Sequence, residues 1–116
     1  MQTGNIFSFD SPPEEGERFD TLLRHKGLVI ERIVSSSKIE SQQYLQAQDE
    51  WVVLLQGQAE LDIAGKRLPL KAGDHVFIPS ATPHTVLSAS HGALWLAVHL
   101  HETIREAALK PQSATP

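Results

Sequence analysis

The stretch DEWVVLLQGQAELDIAGKRLPLKAGDHVFIPSATPH, residues Asp49 to His84, constrains the fold more than any other part of the chain. Glu50 to Leu55 is an apolar, β-branched and aromatic run closed by Gly57. Ala59 to Ile63 alternates, with Ala59, Leu61 and Ile63 set against Glu60 and Asp62, as a half-buried strand requires. Ala64-Gly65 turns the chain into Lys66 to Leu70, and Lys71-Ala72-Gly73-Asp74 turns it again into His75 to Ile78, which Pro79 stops. Short strands at this spacing, each punctuated by Gly or Pro, predict an antiparallel all-β sandwich or barrel.

The flanks extend the pattern. Leu28 to Val34 reads as a strand ending in Ser35-Ser36-Ser37, a serine run that favours a turn. Thr85 to Ser88 and Ala93 to His101 read as two more strands, separated by the Ser90-His91-Gly92 turn. Ile6, Phe7 and Phe9 suggest a short edge strand or an arm, and Phe19 to Leu23 a strand or a single helical turn, within residues 1–27 that cap the barrel. Lys38 to Gln48 is rich in Gln and Ala, poor strand formers, and is read as an edge strand. Thr103 stands three residues before Glu106, a capping-box spacing that predicts a short helix to Lys110, ended by Pro111. The expected organisation is therefore an arm and cap over 1–27, a barrel over 28–101, and a short helix and tail over 102–116.

A chain of 116 residues suits one domain with a modest core. Net charge is −4, and the ten Lys and Arg are scattered without a basic cluster, which argues against nucleic acid as a partner. With no cysteine, disulfides, thiolate ligation and cysteine nucleophiles are excluded. No apolar run approaches membrane-spanning length, and the N-terminus lacks the basic and apolar regions of a signal peptide, so a cytoplasmic location is expected. There is no G-x-S-x-G and no Gly-rich phosphate loop, so neither a nucleotide nor an organic cofactor is expected.

Two spaced motifs resemble those of the cupin superfamily. Glu50 followed by Gly57 resembles the second half of the first cupin motif, and Gly73-Asp74, Pro79 and His84 resemble the second motif, G-D-x4-P-x-G-x2-H. The resemblance covers about residues 30–100. It implies a double-stranded β-helix, or jelly-roll, barrel, with Glu50 and His84 as metal ligands inside it. The sequence departs from the pattern where the chemistry would be. No histidine pair precedes Glu50, Ala81 stands where glycine is usual, and Ser88 where asparagine is frequent.

In the resembled family an H-x-H pair precedes the glutamate by three or four residues. With three intervening residues the pair falls on Tyr44 and Gln46, and Leu45 packs outward; with four it falls on Gln43 and Leu45. The first register gives a candidate metal set of Tyr44, Gln46, Glu50 and His84 for a divalent or ferric ion. Glutamine oxygen is a weak neutral ligand and tyrosine binds mainly as phenolate, so metal affinity should fall by orders of magnitude. His75 lies beside the Gly73-Asp74 turn, and His99-x-His101 has the spacing of two ligands on one strand face. Trp95 and Ala97 share that face, whereas Leu94, Leu96, Val98 and Leu100 make the cleaner apolar one, so His99 and His101 are expected on the less buried side. His25 and His91 read as loop residues.

Alternation puts Glu50 on a face with Val52 and Leu54, opposite Trp51, Val53 and Leu55. Both faces are apolar, which suggests burial on both sides under a second copy in a homodimer. Trp51 and Trp95 are expected in a core or interface. Three functional readings follow: a metal-dependent cupin acting on a small organic molecule, a metal-free cupin that senses or sequesters a small molecule, and a metal-free acid–base isomerase or epimerase using Glu50 and His84.

Overall fold

The computed structural model describes residues 3–102, and among these every regular element is a β-strand. The strands are β1 (Glu17–His25), β2 (Leu28–Ser35), β3 (Gln43–Tyr44), β4 (Asp49–Gln56), β5 (Gln58–Ile63), β6 (Lys66–Lys71), β7 (His75–Ile78), β8 (His84–Ala89) and β9 (Ala93–Leu100). Two antiparallel sheets result, one ordered β1-β2-β9-β4-β7 and the other β3-β8-β5-β6. They face each other as a jelly roll. The helix expected over Thr103–Lys110 lies outside the described residues.

The sequence punctuation holds. Gly57, Gly65, Gly73 and Gly92 all have positive φ at strand junctions. At the β6–β7 turn the Asp74 carboxylate accepts the Lys71 backbone N–H at 2.8 Å and so closes the turn read at Lys71 to Asp74. Pro69 sits in β6, an edge strand, where a missing backbone donor costs no ladder bond.

Three weakly patterned segments take definite form. Of the edge strand or arm read at Ile6 to Phe9, the arm is the one found, with a turn in which Ser8 N–H donates to Asn5 O. Arg32 ties this segment to the outer face of the first sheet. It forms ion pairs and hydrogen bonds with Asp20, donates to the Ile6 and Ser8 carbonyls at 3.1 Å, and lies 5.3 Å from the Phe9 ring centre. Phe19 to Leu23 belongs to β1, the edge strand that pairs with the whole of β2. Of Lys38 to Gln48, only Gln43–Tyr44 pairs as a strand, against His84 and Thr85. The remainder crosses from one sheet to the other.

One end of the barrel is packed and the other is hollow. Ile33, Leu54 and Trp95 are cross-strand neighbours on the inner face, and Leu61, Ala59 and Ala89 meet them from the second sheet. Two registers further along the same inner face, the row becomes Val29, His99, Glu50 and Ile78. The hydrophobic lining therefore gives way to titratable groups at one end.

Candidate functional site

Alternation along β4 places Glu50, Val52 and Leu54 inward, at 8%, 5% and 0% exposure, while Trp51 on the opposite face is 37% exposed. Glu50 is thus a buried carboxylate. On the neighbouring β9 the inward residues are Trp95, Ala97 and His99, all buried, and Leu100 is exposed. This corrects the sequence-based placement of His99 on the less buried face. A buried imidazole is tolerated because the carboxylates of Glu31 and Glu50 supply partners that no periodicity in β9 could reveal. His101 lines the rim, its ring 6.3 Å from that of His99. His75 lies outside the cavity, 5.6 Å from the Trp51 ring, and His25 and His91 are exposed.

The crossing segment supplies the other wall. Tyr44, Gln46 and Gln48 line a cavity of about 370 Å³ together with Glu50, while Leu45 is 69% exposed. The register with three intervening residues is the one adopted. Ala81 N–H holds the segment in place by donating to the Gln46 carbonyl at 2.8 Å. Ala81 itself has φ of 58°, so the backbone at this position is left-handed although the side chain is not glycine. Ser88 is exposed, because the ladder between β5 and β8 shifts by one residue there and turns Ala89 inward instead.

Glu50 is the hub. Gln46 Nε2 donates to Glu50 Oε1 at 2.9 Å, and His84 Nε2 lies 3.7 Å from the same oxygen. His99 Nε2 lies 4.0 Å from Glu50 Oε2 and 2.9 Å from Glu31 Oε1. Glu31 reaches His99 diagonally because its own cross-strand neighbour is the small Ala97. His84 Nδ1 is 3.0 Å from the Thr82 carbonyl, an acceptor only, so Nδ1 carries the proton and Nε2 faces Glu50. Tyr44 stacks beside His84, ring centres 5.8 Å apart. Gln48 Nε2 lies 3.3 Å from His99 Nδ1.

A second hydrogen-bonded chain ends in the same cavity. Trp95 Nε1 donates to Ser35 Oγ at 3.0 Å, and Ser35 Oγ donates to Glu17 Oε2 at 2.6 Å. Burial pushes the Glu17 carboxyl above its ordinary value, the Ser35 bond opposes this, and the charge of Glu31 adds to it. The Glu31 hydrogen bond holds His99 above the ordinary histidine range against the effect of burial, helped by the charges of Glu50 and Glu31. Burial raises the Tyr44 hydroxyl, and the charges of Glu17 and Glu50 raise it further. His99 carries the His99-x-His101 spacing as its signal, whereas Glu17, Glu31 and Gln48 are not singled out by the sequence. Of these three, Gln48 alone has a signal, the every-second-residue series Tyr44, Gln46, Gln48, Glu50.

The four candidate metal ligands come together, but their donors do not fit a divalent or ferric ion. Gln46 turns its N–H toward Glu50, since its carbonyl there would meet another acceptor. Burial, with the charges of Glu17 and Glu50, raises the Tyr44 hydroxyl and so disfavours the phenolate, the form in which tyrosine ligates. Among the described residues, no group of three or more His, Asp or Glu side chains is arranged to hold a metal ion.

The cupin domain model matches residues 34–103. A solved structure from Ralstonia eutropha, named a "putative mannose-6-phosphate isomerase", is 33% identical over 87% of this chain and 99% of its own, with a TM-score of 0.78. KdgF from Halomonas sp. shares the fold at 17% identity, over 80% and 88% of the two chains, with a TM-score of 0.71. So does an RmlC-like cupin from Desulfovibrio desulfuricans, at 17% identity over 86% and 96%, with a TM-score of 0.74. Comparison with curated proteins returned no match. With its two motifs on adjoining strands and the family match across the barrel, this chain belongs to the cupin superfamily.

Proposed function

We propose that this cupin is a metal-free acid–base isomerase that moves a proton within a small hydroxy-carbonyl compound. The observation that carries the reading is the pairing of two unlike imidazoles about one buried carboxylate. His84, with Nδ1–H committed to Thr82, turns its lone-pair nitrogen Nε2 to the cavity, while His99, bonded to Glu31, is biased toward the imidazolium. In the forward step a C–H proton beside the carbonyl passes to His84 Nε2. The electron pair of that bond becomes the C=C of an enol, and His99 gives its proton to the carbonyl oxygen. Glu50 faces both rings and stabilises whichever is charged. For isomerisation the proton is returned to the former carbonyl carbon while the hydroxyl on the deprotonated carbon gives its proton to His99 and becomes the new C=O. For epimerisation it is returned to the opposite face of the same carbon while the enol O–H proton goes back to His99.

The name of the Ralstonia eutropha relative belongs to the same reaction class. The test is deuterium wash-in from D2O, followed by NMR, for short aldoses, ketoses and their 2-amino counterparts, with and without a chelator. Exchange beside the carbonyl should be insensitive to the chelator and should fall about 100-fold or more in His84→Gln and in His99→Gln. Exchange no faster than buffer for every compound, or surviving in both variants, overturns the reading. Binding without exchange would leave the sensing or sequestering role.

A further inference from the structure

Three glutamates, Glu17, Glu31 and Glu50, share one small cavity, and their partners differ. Glu31 has the His99 imidazole at 2.9 Å. Glu17 and Glu50 have no lysine or arginine partner among the described residues. Ser35 Oγ accepts the Trp95 indole N–H, so its single proton is committed to Glu17, a bond that favours the carboxylate form and opposes the burial that raises this group. Glu50 is more than nine-tenths buried, and only its Oε1 accepts a hydrogen bond. Its Oε2 opens into the cavity, with His99 Nε2 4.0 Å away. His99 Nε2 is beyond hydrogen-bond distance of that oxygen, so a donor carried by a ligand can reach Oε2 from the cavity.

The walls match a compact organic cation. Trp95, Phe19 and Tyr44 line the same space, and aromatic faces attract an ammonium group. Glu17, Tyr44 and Glu50 all line this one cavity, so the two carboxylates and the Tyr44 ring are open to the same ligand. Arg24, on the exposed part of β1, is the one lysine or arginine among the described lining residues. A volume of about 370 Å³ is at the low end for ligand cavities and suits a small molecule.

Deepening the isomerase reading and resting on it for the site, we infer that the ligand carries a protonated amine, seated between Glu17 and Glu50 beside the Tyr44 ring. A phosphorylated sugar, the kind of substrate in the relative's name, would bring a dianion against three carboxylates. The two proteins thus share a barrel and differ in ligand charge.

The test uses matched sets that change charge on one skeleton: glucosamine, glucose and glucose 6-phosphate, then serinol, glycerol and glycerol 3-phosphate. Binding to the intact protein is measured by calorimetry and by the shift in melting temperature. In at least one set the amine should bind about tenfold or more tightly than its neutral parent, and the phosphate should not bind. Glu17→Gln, which keeps an oxygen for Ser35, should bring the amine's advantage to about one while leaving the neutral member's affinity in place. Should that variant fold poorly, wild-type affinity for the amine must still weaken with added salt while that for the neutral member does not. A phosphate that binds tightest, an amine without advantage in both sets, or an advantage that survives Glu17→Gln overturns the inference. Amine binding without deuterium exchange would overturn the catalytic reading alone, and exchange with a preference for phosphates would overturn this one alone.

Discussion

Gln46 donates its side-chain N–H to Glu50 Oε1 at 2.9 Å, at the position where the cupin pattern implies an imidazole ligand. A residue that would have shared a metal with the glutamate instead satisfies it directly. The local geometry of the motif survives while its donors have changed from metal ligands to hydrogen-bond partners.

That exchange predicts the behaviour toward metal. Purified protein incubated with zinc, nickel or ferrous iron should retain only substoichiometric metal after gel filtration, read by inductively coupled plasma mass spectrometry. Restoring the pair with Tyr44→His and Gln46→His should yield about one equivalent, because both positions already line the cavity with Glu50 and His84. Equal metal content in the two proteins would refute the account of the donor set.

The pH dependence follows from His99. Its folded-state value lies above the ordinary histidine value, so its stabilising contribution is fully present below about 6.5 and is lost as pH rises through the folded value. The groups facing it are Glu31, Glu50 and His101, with Gln48 on Nδ1. Glu17, also raised, has the same sign in the carboxylate range. Glu31→Gln should lower the His99 titration seen by NMR and flatten the fall in urea midpoint between about pH 6 and about pH 8.

Two backbone positions should respond in opposite directions. Gly57 has φ of 91°, and a Cβ there would come within 2.6 Å of Ser90 Oγ and 3.1 Å of the Ala93 backbone. Gly57→Ala should therefore destabilise by about 1–3 kcal/mol. Ala81 already occupies the left-handed region, so Ala81→Gly relieves strain, offset in part by glycine's greater unfolded-state freedom. A gain of up to about 1 kcal/mol by urea unfolding is expected, with the hydrogen bond to the Gln46 carbonyl retained.

The outer face of the five-stranded sheet predicts self-association. Leu23, Ile30, Val98, Trp51 and Phe77 are successive cross-strand neighbours, a row of large apolar side chains spanning β1, β2, β9, β4 and β7. Phe77 is 55% exposed. Such a row can meet its own copy across a twofold axis. Sedimentation at micromolar concentration should give about twice 12.8 kDa, and Trp51→Glu should return the chain to a monomer. A wild-type monomer would exclude the homodimer.

Strand positions were legible because Gly and Pro sit at fixed-φ junctions and because period-2 alternation is a local property of the chain. The runs at Glu50–Leu55, Ala59–Ile63 and His75–Ile78 each reappear within a residue or two as β4, β5 and β7. The family motif located Glu50 and His84, and the outward Leu45 fixed the register that puts Tyr44 and Gln46 in the cavity. Alternation could not choose between the two apolar faces of β4, and on β9 it points the wrong way, since the cleaner apolar series Leu94, Leu96, Val98 and Leu100 is not the one that carries the buried Trp95, Ala97 and His99. Tertiary structure chose by pairing Glu50 with His99 across neighbouring strands and bringing Glu31 from β2, 68 residues from His99 in sequence, within 2.9 Å. Local sequence determines backbone geometry because φ and side-chain alternation are set residue by residue. Which titratable groups share a cavity, and hence their charge state, depends on strand order and register, which long-range pairing alone decides.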